Sequence, residues 1–261
     1  MRNKITLPSY LIPYFRSNHA GETGAVYIYR AIKMFNNDRK IKSFANNHFQ
    51  TETRHLKLIE KITKGKNVLN VGAAGGVIGS NGYLPGNEDK WLHAKIIKTA
   101  KKVLATDIDK KAIKHAEKHG YRIINENCET MILSQKFDVI LMSDVIEHLN
   151  APVNAIKNLV DNHLSKDGTL IITTPNGTAL HAFIRTITRR NLNIYYDHMA
   201  VYYPEHFQAI CDRLGYSLKK IYLFDFTDKR SFIIRLKGIF FKIASRFSPR
   251  LSSALMVFIQ K

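Results

Sequence analysis

Cysteine, tryptophan, acidic residues and long apolar runs are all scarce in this chain. Two cysteines, Cys128 and Cys211, lie far apart and outside any CxxC pattern, so the sequence predicts no disulfide framework and a reducing, cytoplasmic setting. The first residues lack the apolar core of a secretory signal, and no run approaches the roughly 18 apolar residues of a membrane-spanning helix. Acids number 21 against 40 Lys and Arg, for a formal charge of +19. The deficit is uneven. Residues 1–65 hold 12 basic against 4 acidic side chains, residues 66–212 hold 17 against 15, and residues 213–261 hold 11 against 2. A neutral centre with basic ends suits nucleic acid or an anionic membrane surface. At 45% hydrophobic residues the chain can build a full core.

What is present divides at Gly65. Before it, the pattern predicts two helices joined by a turn at Asn36-Asn37-Asp38, the second running to about Lys64 with Phe44, Phe49, Leu56 and Ile59 at roughly helical spacing. After it, short apolar runs alternate with helical stretches: Val68-Leu69-Asn70-Val71, Val103-Leu104-Ala105-Thr106, Ile123-Ile124, 137–141 and 170–174, with last strands at 217–225 and 253–260. Such alternation predicts an α/β domain, a doubly wound, mostly parallel sheet with helices on both faces. The expected organisation is a helical hairpin over 1–65 and the α/β domain over 66–261.

The first strand of that domain closes on Asn70-Val71-Gly72-Ala73-Ala74-Gly75-Gly76. Glycines there allow close backbone approach to a ligand and offer N–H groups at a helix start. The second strand ends in Asp107, whose carboxylate can accept from two ribose hydroxyls. The spacing of Gly72, Gly75 and Gly76 departs from the dinucleotide pattern GxGxxG, which argues against a dehydrogenase.

Five strings in order, around Val68-Leu69-Asn70-Val71-Gly72, Ala105-Thr106-Asp107, Phe137-Asp138-Val139-Ile140, Asp144-Val145-Ile146-Glu147-His148-Leu149 and Lys166-Asp167-Gly168-Thr169-Leu170, resemble the motifs of class I S-adenosylmethionine-dependent methyltransferases, including those of ubiquinone biosynthesis. The resemblance implies a seven-stranded Rossmann-like sheet and S-adenosylmethionine as cofactor. It implies that Asn70, Gly72, Ala74 and Gly76 line its methionine end and that Asp107 holds its ribose. Asn127 and Cys128 would flank the adenine, and Ser143 and Asp144 would close the pocket. Two departures stand out: Asn70 replaces the usual acid and Ala74 the middle glycine. Two histidines are candidate bases for an oxygen acceptor, His148 after the fourth strand and His198 in the region where this family builds its substrate lid.

In the first 65 residues, Glu52 and His55 fall three apart, which on a helix is one face, and a hairpin folded at Asn37 brings Glu22 to the height of Glu52. The strings His19-Ala20-Gly21-Glu22 with Gly24-Ala25-Val26, and Glu52-x-x-His55-Leu56, resemble demethoxyubiquinone hydroxylase, a ferritin-like di-iron family. That family supplies its ligand set twice over four helices, whereas this chain supplies it once. The resemblance therefore leaves two alternatives, a homodimer that completes an iron site from Glu22, Glu52 and His55, or an iron-free remnant.

The stretch 231–243 interleaves cations with Phe240 and Phe241 among aliphatic residues, a composition that predicts membrane-surface contact rather than RNA binding. The expected activity is methylation of a small-molecule or lipidic acceptor, a quinol above all, by a cytoplasmic protein peripheral to the membrane. Sugar methylation, a di-iron hydroxylase and a non-catalytic scaffold are the alternatives.

Overall fold

The protein is described by a computed structural model over residues 49–52, 55–78, 82–188, 197–225 and 248–261. All of these belong to the second of two compact units, His48–Lys261. Glu22 and the stretch 231–243 lie outside the described residues.

Eight strands form one sheet. They are β1 (Phe49–Glu52), β2 (Asn67–Val71), β3 (Lys102–Asp107), β4 (Ile124–Asn125), β5 (Phe137–Ser143), β6 (Leu164–Pro175), β7 (Ser217–Phe224) and β8 (Ala254–Gln260). Their order is β1-β7-β8-β6-β5-β2-β3-β4, with β8 antiparallel to both neighbours and every other pairing parallel. The seven strands expected after Gly65 are β2 to β8, and β1 is an addition at the β7 edge.

Alternate residues on the central strands are all buried. Val139, Leu141, Ile171, Met256 and Phe258 join one cluster with Ile59 of α1 (His55–Thr63) and Ile96 of α2 (Leu92–Ile97). The intervening Ile140, Met142, Leu170, Ile172, Leu255 and Val257 are also buried. A sheet buried on both faces explains near-continuous apolar strands, the usual sequence of a covered parallel sheet.

The strand at 49–52 corrects the helix expected from about Asp38 to Lys64: α1 begins only at His55. Phe49 and Thr51 are residues that favour strands, and pairing in register from Phe49 against Ile221 to Glu52 against Phe224 outweighs the helical spacing. Glu52 and His55 therefore do not share a helix face, because one sits in a strand and the other opens a helix. The His55 ring stacks on Phe224, with centroids 4.2 Å apart. The boundary expected at residue 65 falls within the connection from α1 to β2, both of which belong to this unit.

Strand order reverses between β2 and β5, since β2 is followed along the chain by β3 on one side while β5 pairs on the other. Ligands of open α/β sheets bind beyond the carboxyl ends of strands at such a reversal. Among the described residues, no helix is long and apolar enough to cross a membrane.

Candidate functional site

The turn after β2 lies at this reversal. Gly72 and Gly76 both have positive φ, +70° and +73°, and both are closely covered. A Cβ on Gly72 would collide with Cγ2 of Val145, two residues beyond β5, and one on Gly76 would lie 2.8 Å from the Tyr83 ring. Glycine is required at both positions by backbone angle and by space. Val145 and Tyr83 thus pack directly on the turn and fix its backbone.

Asp107, at the end of β3, faces the same turn. Its Oδ2 accepts from Ala74 N at 2.8 Å and its Oδ1 from Asp109 N at 2.9 Å. Each carboxylate oxygen keeps a free lone pair for a hydroxyl. Gly72, Ala74, Gly76 and Asp107 are thus brought together in a way that fits the sugar and amino-acid parts of S-adenosylmethionine.

Asn70 has a partner that the sequence did not suggest. Its amide meets Nδ1 of His93 on α2 at 3.2 Å, and both residues are buried. With that nitrogen accepting, Nε2 carries the proton, and it has no hydrogen-bond partner. Burial pushes His93 down to about 4, so the imidazole is neutral. Beside it, Trp91 Nε1 donates to Ala73 O at 2.8 Å, which ties α2 to the turn. The amide at 70 donates to this ring, whereas an acid there would accept from its other tautomer.

The His93 shift has a consequence for stability. The unfolded imidazole takes up a proton near pH 6.5 and the folded one only near 4, so the unfolded state binds more protons between these values. Stability then rises with pH across this window. The contribution is complete above pH 6.5, and about 3 kcal/mol of it is lost as pH falls to 4. In urea unfolding from pH 4 to 7, the stability difference between wild type and His93→Gln should show that slope.

Asn127 and Cys128 follow β4. Asn127 Oδ1 accepts from Glu129 N at 2.9 Å, and the buried Cys128 offers its carbonyl to Asn158. Burial pushes the Cys128 thiol up to about 12, so it is no nucleophile. Ser143 Oγ and Thr173 Oγ1 lie 2.8 Å apart, and Asp144 sits at φ +52°, with Thr173 Oγ1 donating to its Oδ1. Burial raises the Asp144 carboxyl above its usual range.

Beyond Val145 the chain makes one 3-10 turn, Ile146–His148, and here the two candidate histidines meet. The rings of His148 and His198 pack edge to face with centroids 4.6 Å apart. His148 Nδ1 lies 3.2 Å from Asp197 Oδ2. Beside them is Glu147, 1% exposed, whose Oε2 accepts from Thr174 Oγ1 at 3.0 Å. Its carbonyl accepts from Met199 N and Ala200 N, which holds the 197–200 segment against the end of β5. Burial and the neighbouring Asp144 charge push Glu147 up to about 8. Glu147 belongs to a quoted motif but drew no role from sequence; its spacing, Asp144-x-x-Glu147-His148, was the available signal. Glu147, His148 and His198 offer ligand atoms within 4.8 Å of one another.

A family profile described as a methyltransferase domain matches residues 43–221, more than half of the chain. The chain belongs to that family. The methyltransferase is an enzyme of Rossmann-like fold. A second profile, ubiquinone biosynthesis protein COQ7, matches residues 9–76. No curated protein matches the chain.

Solved structures show the same fold at low identity. An S-adenosylmethionine-dependent methyltransferase from Archaeoglobus fulgidus is 15% identical, with TM-score 0.53, over 90% of this chain and 99% of its own. A putative methyltransferase from Bacillus halodurans is 16% identical, with TM-score 0.52, over 79% and 97%. One from Mesorhizobium loti is 16% identical, with TM-score 0.50, over 79% and 96%. The methyltransferase thus shares its architecture with these proteins, and its site chemistry must be read from its own residues.

Proposed function

We propose that this methyltransferase transfers a methyl group to a hydroxyl oxygen of an apolar, quinol-type acceptor at a membrane surface. The observation that carries the reading is the meeting of His148, His198 and Glu147 next to the cofactor turn, since Val145, which covers Gly72, is only two residues from Glu147. When bound, S-adenosylmethionine supplies a methyl group on a positively charged sulfur. The chain's own work is to hold the donor in the 72–76 turn and on Asp107, and to place an acceptor oxygen in line with it. A cluster of imidazole and carboxylate groups suits a hydroxyl acceptor, which must shed its proton.

Two further features support an apolar acceptor. Phe183 and Ile187, one helical turn apart on α3 (Leu180–Ile187), are 62% and 63% exposed, and Met199 beside His198 is 67% exposed. The COQ7 match supports a quinone context. Cytoplasmic location, peripheral membrane contact through 231–243 and dimer formation through the N-terminal segment are parts of the same proposal. A di-iron hydroxylase built from Glu22, Glu52 and His55 draws less support, because Glu52 lies in β1.

The test is transfer of label from S-adenosylmethionine to vesicles containing a hydroxylated polyprenyl quinol, with soluble sugars and polysaccharide as competitors. Label in the organic-extractable quinol is the expected result. Cofactor binding without any quinol labelling, or labelling of sugar alone, would overturn the acceptor assignment.

A further inference from the structure

We infer that His93 is a positioning residue for the cofactor: its bond to Asn70 turns the Asn70 amide oxygen toward the glycine turn, where it accepts from the ammonium group of the cofactor's amino-acid tail. The inference rests on S-adenosylmethionine as the methyl donor of the proposed function, and adds to it a residue that selects for the tail.

Asn70 is the last residue but one of β2 and stands two before Gly72, so its side chain branches off at the start of the turn. Its amide meets Nδ1 of His93 at 3.2 Å, and the two residues are 3% and 2% exposed. A primary amide has one donor edge and one acceptor edge. Whichever edge faces His93, the other is left for a ligand. The hydrogen on the imidazole therefore decides what Asn70 presents.

The surroundings of the ring place that hydrogen. Burial keeps the imidazole neutral, so it carries only one. Nε2 is sealed from solvent and has no hydrogen-bond partner. Aromatic rings stand close by, with the centroid of Trp91 at 5.0 Å and that of Tyr121 at 6.3 Å from the His93 ring. An N–H is tolerated against the electron-rich face of an aromatic ring, whereas a lone pair is repelled by it. The hydrogen thus sits on Nε2, Nδ1 accepts, and Asn70 donates through Nδ2. Trp91 is fixed in turn by its bond to Ala73 O and by edge-on packing against Tyr121 at 4.7 Å. The rings that choose the tautomer pack in one cluster with Ala73 and Ala74 of the turn.

What remains on Asn70 is Oδ1. No protein group donates to it, and it is not among the sealed orphan atoms that include His93 Nε2. An open acceptor beside the turn calls for a donor. The tail's ammonium offers three N–H groups and a charge, its carboxylate offers none, and Asp107 is already assigned to the ribose. With the other tautomer Asn70 would show its NH2 group and repel the ammonium. His93 acts only through Asn70.

The experiment is calorimetry on the full chain with S-adenosylhomocysteine and with 5′-methylthioadenosine, a close nucleoside analogue without the amino-acid tail. His93→Phe keeps a flat ring and removes the acceptor. It should weaken S-adenosylhomocysteine by about 10-fold or more, the scale of one lost hydrogen bond to a charged donor, and leave methylthioadenosine unchanged. His93→Gln, whose carbonyl oxygen can accept from the same amide, should recover most of the loss. In an Asn70→Ala background, His93→Phe should alter the ratio of the two affinities no further. A role confined to packing would weaken both ligands alike and would persist in that background. Were His93→Phe to misfold, nitrogen-15 NMR of the wild type at pH 7 reads the tautomer directly, with a hydrogen on Nε2 and none on Nδ1 as the expected result.

Equal losses for both ligands, an undiminished effect in the Asn70→Ala background, or a hydrogen on Nδ1 would overturn the inference and leave cofactor binding standing. A wild type that binds neither nucleoside would remove the cofactor reading itself, and this inference with it.

Discussion

Asp107→Ala should weaken S-adenosylmethionine binding by about 100-fold or more, read directly by calorimetry. Two effects combine. A hydrogen bond from a neutral donor to a carboxylate contributes roughly 1.5–3 kcal/mol, and the ribose would lose two of them. Asp107 also receives Ala74 N and Asp109 N, so its loss strands two backbone donors and loosens the turn that holds the other end of the cofactor. Asp107→Asn is the finer probe, because the amide keeps the size but presents hydrogens to one of those N–H groups. It should bind more weakly than wild type and better than alanine. An alanine variant with wild-type affinity would mean that the cofactor does not lie on this strand end.

Gly72→Ala should destabilise the fold and abolish cofactor binding together. The added methyl group lands on Val145 Cγ2, and the φ of +70° costs a non-glycine residue about 1–2 kcal/mol by itself. Val145 is fixed by the 3-10 turn that follows it, so it cannot easily withdraw. Overpacking adds roughly 1–3 kcal/mol. Chemical denaturation should therefore show a loss of about 2–5 kcal/mol. The double variant with Val145→Ala isolates the collision: it should recover the steric part and leave the backbone part. No recovery would mean that the conformation of the turn alone carries the requirement.

Much of this was legible because the central strands announce themselves. Val68 to Val71, 137–141 and 170–174 are short apolar runs closed by glycine, serine or proline, and a sheet covered on both faces calls for that pattern. The glycine turn and Asp107 were legible for a related reason, since their order along the chain fixes where they meet. β1 was not. Phe44, Phe49, Leu56 and Ile59 fit a helical period, while the competing preference of Phe49 and Thr51 became decisive only when β7, some 170 residues later, supplied a partner. The acceptor side was half legible. His148 and His198 were each singled out, but their meeting depends on Met199 and Ala200 donating to the Glu147 carbonyl, a long-range clamp that no local pattern reveals. Glu147 was missed because a buried acid looks the same in sequence as a solvated one. His93 was missed for the opposite reason, since a histidine between Leu92 and Ala94 carries no mark of its burial.

The parallel rung between β1 and β7 has a further consequence. The stretch that matches COQ7, 9–76, runs through this rung, through α1 and into the glycine turn itself. The two matched stretches therefore overlap over residues 43–76 rather than meeting at a joint. Scissors applied just before Lys66 would bare the flank of β7 and uncover the apolar bed of Ile59, leaving a ragged margin open to stray strands.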